Sequence, residues 1–463
     1  MIKKEDIKKI GENLYEIPKT FRSDMKVPAR FYANDFFFNK LLLERALGQL
    51  VNTATLNGAY KYAIAMPDIH EGYGFPIGGV LAVDKDRGVI SPGGVGYDIN
   101  CGVRLLKTGL AEKEIIPKKR ELLNEIFKTV PAGMGGRGPL SLSFEELDKY
   151  LENGAEYAVK KGFGEVKDLD NIEENGRFKI ANPKKVSEKA KKRGQNQLGT
   201  LGSGNHFLEI QKAVKIFDKE VAQKLKIKKG EIFVMIHTGS RGLGHQVASD
   251  YIEIMREAMK KYKIKIPDPE LSCAPFNSLE GQNYFKAMAA ACNFAWANRQ
   301  IITEMVRRAL NKFLGIPKEQ VKLIYDVAHN IAKIENNFVV LRKGATRAFG
   351  PGNKNIPKHY QNIGQPVIIP GSMGTSSFLM VGTRKAEEET FGSNAHGAGR
   401  IMSRKKAKKQ IRGEILKKEL EEKGIAIFSK SNFGLAEEAP VAYKNIEDVA
   451  DIITKAGISK KVA

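Results

Sequence analysis

SPGGVGYDINCGVR, residues 91–104, is a glycine-rich turn that carries a carboxylate and a thiol and runs into an apolar stretch. Polar turns of comparable build recur at IHEGYGFPIGG (69–79), GTLGSGNHF (199–207), IHTGSRGLGH (236–245), DVAHN (326–330), PGSMGT (370–375) and GSNAHGAGR (392–400). Each stands at the end of a short apolar run or at the start of a helical pattern. Runs at 62–66, 79–83, 232–236, 321–327, 338–341 and 367–369 predict strands, several too apolar to face water on either side. Helical spacing predicts helices over 40–53, 112–128, 143–161, 245–262, 283–313 and 398–423. The fold class expected is α+β, a mixed β-sheet core with surrounding helices, in one unit spanning 1–463. Residues 165–196, polar and lysine-rich, read as a basic excursion within that unit.

Composition narrows the partners. A chain of 463 residues at 42% hydrophobic can bury a large core, which excludes general disorder. With 76 Lys and Arg against 53 Asp and Glu, the net charge of +23 favours a polyanion, nucleic acid first. No stretch approaches the ~18–20 unbroken apolar residues of a bilayer span, and no apolar segment follows Met1, so a cytoplasmic protein with no membrane partner is expected. Three cysteines, Cys101, Cys273 and Cys292, cannot build a disulfide framework. Cys273 and Cys292 have no motif around them and read as structural.

Loops at strand ends are where sites are built, and five of the seven histidines lie in the glycine-rich turns, while His329 ends a strand. Asp98, Cys101, His206, His237 and His329 offer one carboxylate, one thiolate and three imidazoles, a donor set that suits Zn, Fe, Co or Mn if the fold gathers it. Taken singly, each histidine reads equally as a hydrogen-bonded structural residue and the cysteine as a small core side chain. The turn glycines leave room for backbone amides to approach an anion, or simply make tight turns. No GxxxxGK[ST] string occurs, which excludes a P-loop NTPase, and no KxDG string supplies the lysine of common nucleotidyl transferases. Covalent nucleotide transfer would then need another nucleophile, and His396, ahead of a basic run from Arg400 to Lys418, can form a phosphoramidate. Capping of the following helix is the alternative role.

GGVGYDINCGVR, GTLGSGNHFLE, VMIHTGSRGLGHQV, DVAHN, RKGATRAF, IPGSMGT and HGAGR, in this order over residues 91–400, resemble the RtcB family of RNA ligases, its archaeal members most closely. The resemblance implies a GTP- and Mn(II)-dependent enzyme that joins RNA ending in a 2′,3′-cyclic phosphate or 3′-phosphate to RNA with a 5′-hydroxyl, as in tRNA splicing. It implies two manganese ions held by Asp98, Cys101, His206, His237 and His329, with Cys101 bridging, and His396 as the guanylylated residue. The guanylate pocket would be lined by Asn205, His206, Glu209, His329, Asn330, Pro370, Gly371, Ser372, Met373, Ser377, His396, Gly397, Ala398, Gly399 and Tyr443. RNA, such as cleaved tRNA halves, and an archease-type activating protein are the implied partners. Rival readings are a metal-dependent cyclic phosphodiesterase that does not ligate, and an RNA-binding protein with a structural metal. The sequence departs from the family pattern at Leu341, where His is common, and at Ala395, where Cys is frequent. Family members also continue about ten residues beyond the position of Ala463 to a lysine that contacts the guanylate, so GTP affinity is expected to suffer more than metal binding.

Overall fold

Leu279–Leu314 is a helix of 36 residues, started by Ser278, whose side chain accepts the Gly281 N–H, and ended by Gly315 at φ 71°. Its alanines, aromatics and methionines, and with them Asn293, Asn298, Arg299 and Gln300, are buried on every side over the middle turns, which puts the helix in the core. The computed structural model, which describes residues 2–133 and 135–463, buries it against the helices Phe144–Lys160 and Arg241–Lys261. Mixed β-sheets and helices make the α+β architecture expected. Seven strands form one sheet in the order Lys8–Gly11, Leu14–Ile17, Ala29–Tyr32, Ala59–His70, Ile77–Asp84, Phe338–Lys343 and Asn330–Glu335. A three-stranded sheet, Pro366–Ile369, Phe378–Gly382 and Ser459–Lys461, brings the last residues of the chain beside the 370–377 loop.

A four-stranded sheet decides where the polar turns go. Its order is Lys322–Ala328, Gly102–Ala111, Glu231–Thr238, Phe207–Lys212, with every neighbour antiparallel. Gly102 lies opposite both Ala328 and Thr238, and Phe207 lies opposite His237. Two strands therefore begin, and two end, at the same edge. Alternation of direction, which needs no special sequence, delivers turns more than two hundred residues apart to one place.

Two elements differ from their sequence patterns for identifiable reasons. Gly102–Ala111 is a strand at the middle of that sheet although Arg104 interrupts its apolar run, because Arg104 is fully buried against Asp326, Nε to Oδ2 2.7 Å. The helix expected over 398–423 is two helices, Arg404–Gln410 and Gly413–Glu422, separated by extended backbone at Ile411 and Arg412. Ser403 caps the first through the Lys406 N–H, so His396 stands well before the helix and does not cap it. In the 165–196 segment two acidic side chains, Asp168 and Glu173, turn inward. Asp168 accepts from both Nη atoms of Arg307, and Glu173 accepts from Lys333 Nζ and from the Ala328 N–H. Lys184, Lys189, Lys192 and Arg193 are exposed. Among the described residues, no helix is long and apolar enough to cross a membrane.

Asp326 is wholly buried between Arg104 and Arg299. Removing one partner of such a group strands buried charge, so Asp326→Asn is expected to lower unfolding free energy by about 3–5 kcal/mol. Urea titration measures it, and an unchanged midpoint would show that the carboxylate is not what holds the two guanidinium groups.

Candidate metal centre

The Asp98–Cys101 turn is tight: Cys101 N–H donates to Asp98 O at 3.0 Å and Asn100 takes a left-handed φ of 53°. Cys101 O in turn accepts the His329 N–H at 2.9 Å, which stitches two of the turns together by backbone. Cys101 Sγ lies 3.2 Å from His237 Nε2 and 3.4 Å from His206 Nε2. His237 Nε2 is 3.4 Å from His329 Nε2, and His206 Nε2 is 2.6 Å from Asp98 Oδ2. The five residues thus form two overlapping triads, Cys101–His237–His329 and Asp98–Cys101–His206, with donor atoms within 4.8 Å of one another in each. Cys101 belongs to both.

Electrostatics show what this cluster lacks. Burial, reinforced by neighbouring imidazoles, holds His237 and His329 well below the usual histidine range, so both are neutral. Burial, with the Asp98 charge beside it, pushes the Cys101 thiol up. Burial would raise Asp98 too, but His206 and the hydrogen bonds around it bring that carboxyl down to about 2. Among the described residues, His237 Nδ1 and His329 Nδ1 have no hydrogen-bond partner. Sulfur and nitrogen lone pairs buried against one another are a poor arrangement by themselves. A thiophilic, imidazole-binding cation resolves it, and the donor set fits one.

Beside the cluster stands His396, its ring centroid 5.0 Å from that of His329. Asp68, fully buried, places Oδ2 at 2.5 Å from His396 Nδ1 and accepts the His396 N–H at 2.9 Å with the same atom. The 396–400 turn lies against the 370–377 loop, where Ala398 N–H donates to Pro370 O at 3.2 Å and Gly371 N–H to Ser377 Oγ at 3.2 Å. Gln211 Nε2 links Ser377 Oγ, at 3.2 Å, to Glu209 Oε2, at 2.7 Å. Tyr443 closes this wall, bridging to Arg400 by backbone and accepting from its Nη1 at 2.8 Å. Asn330 Nδ2 donates to Asp98 O at 3.0 Å, joining wall and metal cluster. Gly397 and Gly399 belong to the same turn, and Met373 packs on the small cluster of Leu416 and Leu420. Asn205 is exposed and holds Arg404, while Ser372 bonds within its own loop to Thr375. Neither contacts His396.

Several residues of the site gave no sequence signal. Asp68 sits in an apolar strand, Ala59–His70, where a lone aspartate has no motif. Arg241 has a left-handed φ of 54° and sets Nη1 3.2 Å from His206 Nδ1; that strained backbone is typical of functional positions. Arg299 comes from the central helix. His245 lies outside the metal cluster, with its ring stacked on Tyr97. Cys273 and Cys292 are buried and unpaired.

Residues 49–463 match the family model described as tRNA-splicing ligase RtcB. The chain belongs to the RtcB family. It is 53% identical over 470 residues to the tRNA-splicing ligase RtcB of Methanococcus maripaludis, covering 99% of this chain and 98% of that protein. It is 52% identical to the tRNA-splicing ligase RtcB of Archaeoglobus fulgidus, over 99% and 97% of the two chains, and 51% identical to that of Thermococcus kodakarensis, over the same shares. RtcB membership and the donor cluster agree with a metal-dependent protein.

Because Cys101 is common to both triads, Cys101→Ala should abolish tight binding of Co(II) at both, whereas Asp98→Ala should spare the Cys101–His237–His329 triad. Sulfur-to-metal absorption together with metal content per chain reads the two cases, and full metal content in the Cys101 variant would break the shared-ligand assignment. A separate consequence concerns Glu209, whose carboxyl burial pushes up to about 7, opposed only by the Gln211 hydrogen bond. Between the usual value of 4.5 and about 7 the native state holds a proton that the unfolded chain has lost, so this group's stabilisation fades as pH rises through that window. In Glu209→Gln the fall in urea midpoint from pH 5 to pH 7.5 should shrink. An identical fall would remove Glu209 as its source.

Proposed function

We propose that this chain joins RNA ends, linking a 2′,3′-cyclic phosphate or 3′-phosphate to a 5′-hydroxyl through a guanylylated His396, as in tRNA splicing. The observation that carries the reading is the geometry of His396, with a buried carboxylate on Nδ1 and a candidate metal ligand, His329, beside the ring. A carboxylate 2.5 Å from Nδ1 favours the proton on that nitrogen, which leaves Nε2 with its lone pair, the tautomer a nucleophile needs. The names of the relatives support ligation, and +23 of net charge supports a polyanionic substrate.

Asp98, Cys101, His206, His237 and His329 would hold two Mn(II) ions, which when bound supply positive charge next to the reacting phosphates. His396 Nε2 attacks the α-phosphorus of GTP, forming a P–N bond as pyrophosphate leaves. Asp68 stabilises the imidazolium that results, as the carboxylate of a catalytic triad does. The RNA 3′-phosphate then takes the guanylyl group, breaking the P–N bond and restoring His396. The 5′-hydroxyl attacks that activated phosphate, GMP departs, and the phosphodiester is complete. A cyclic phosphate must first be hydrolysed to the 3′-phosphate. The wall made by Pro370, Gly371, Ser372, Met373, Ser377, Gly397, Ala398, Gly399 and Tyr443, with Asn205, Glu209 and Asn330, would receive the guanylate. We place this work in the cytoplasm, in one catalytic unit, with an archease-type protein as activator.

Incubation with α-labelled GTP and manganese should give a labelled protein band that His396→Ala abolishes. Asp68→Asn, which keeps the shape and loses the charge, should slow labelling by about 100-fold or more. No label on the unaltered protein would favour a phosphodiesterase or a binding protein, and a label surviving His396→Ala would exclude this nucleophile.

A further inference from the structure

His245 belongs to one of the polar turns, IHTGSRGLGH, and neither the metal cluster nor the guanylate wall uses it. It begins the second turn of the helix Arg241–Lys261 and is exposed to solvent. One face of its ring stacks on Tyr97, centroids 4.8 Å apart and planes inclined by 27°. Tyr97 is in turn buttressed by the edge of Tyr73 at 5.3 Å and 69°. Tyr97 immediately precedes Asp98, so this aromatic row runs up to the edge of the metal cluster. Burial and Arg193 hold His245 below the usual histidine value, and the imidazole is therefore neutral at pH 7.

We infer that the outer face of His245, backed by Tyr97, is a stacking subsite for a nucleobase of single-stranded RNA whose end enters the metal centre. The inference rests on the ligase reading above. A neutral π-face open to solvent at the end of a fixed stack accepts any base, since every base has such a face. Cations flank the row on both sides. Arg193 is exposed and fixed to the same helix by donating to Gln246 Oε1 at 2.9 Å, and Arg256 Nη2 reaches Tyr73 Oη at 3.4 Å. A strand laid along them would have its backbone neutralised while its base continues the stack. Among the described residues the His245 ring has no hydrogen bond to another side chain, so beyond its stack on Tyr97 nothing engages the exposed ring.

Two short RNAs test this, one with 2-aminopurine at a 5′-hydroxyl terminus and one with 2-aminopurine next to a 3′-phosphate. Quenching of the probe and affinity are measured on the full-length chain. One of the two RNAs should be quenched by the unaltered protein and by His245→Phe, which keeps an aromatic face. His245→Ala should lose the quenching and bind that RNA about 5- to 100-fold more weakly. The RNA that responds identifies which end lies on the row. Equal quenching and affinity in His245→Ala for both RNAs would overturn the subsite, as would loss in His245→Phe as well, which would assign the contact to the ring nitrogens. Guanylyl labelling of the unaltered protein needs no RNA, so its absence would sink the ligase reading whatever the stacking result.

Discussion

The guanidinium of Arg299 has five N–H donors, and each finds an acceptor inside the protein. Nε and Nη2 grip the two oxygens of Asp326 at 2.8 and 2.9 Å, and Nη1 and Nη2 take Asn100 O and Oδ1 at 2.8 and 2.7 Å. The fifth bond, from Nη1, goes to Thr238 O at 2.9 Å. Asn100 precedes Cys101, Thr238 follows His237, and Asp326 lies three residues before His329. A single planar fork from the central helix therefore ties together the residues next to Cys101 and His237 and the strand that leads to His329. A lysine offers three donors from one point and could not span these acceptors. The low dielectric that makes such a node strong also makes it costly to leave incomplete, which is why Asp326 needs both of its arginines.

This node explains how the protein keeps a cluster that is unfavourable by itself. Neutral imidazoles and a thiol are buried against one another, and only the contact of His206 with Asp98 offsets part of the desolvation. The cost is carried by the frame: the antiparallel sheet sets the chain directions, and Arg299 sets the turns. A cation that bound there would meet donors already positioned, and its binding would displace the thiol proton. Preorganisation of this kind places the strain in the metal-free protein and the gain in the loaded one.

Much of this was legible in the residues because the chemistry needs unusual types in unusual places. Histidines in glycine-rich turns, and a cysteine after Asp-Ile-Asn, stand out against any background. The strands Ile77–Asp84 and Glu231–Thr238 were equally plain, since a run buried on both faces must be apolar. What stayed hidden is polar chemistry dressed as something else. Arg104 breaks the apolar pattern of the strand at the centre of the small sheet, and only its partner in Lys322–Ala328 shows that it is buried. Asp68 looks like a chance polar residue, and Arg299 like one charge on a long helix. Glu173 sits in a segment whose lysines suggest a solvated excursion, yet its own side chain is buried with Lys333. Pairing across long sequence separations is invisible to periodicity, which reports only which face a residue occupies.

The glycines carry a related lesson, because the structure gives some of them a different task from the one their motif suggests. Gly399, at φ 69°, could present its amide to a phosphate, but a Cβ there would come within 2.2 Å of Asp68 O. Gly344, at φ 63°, would set a Cβ 2.2 Å from Ile77 and 3.1 Å from Cε1 of His396. Both positions are glycine so that backbone can close around the Asp68–His396 pair. Lys444 completes the enclosure, donating from Nζ to Pro67 O and Ile69 O on either side of Asp68, while its own N–H donates to Gly399 O. Burial pushes that ammonium down to about 8, so at neutral pH it remains a cation held against carbonyl dipoles that flank the carboxylate. The pair is therefore gripped from the sheet, from the 396–400 turn and from the residue after Tyr443 together. A histidine held that tightly can keep one direction, which a histidine on an open glycine loop could not do.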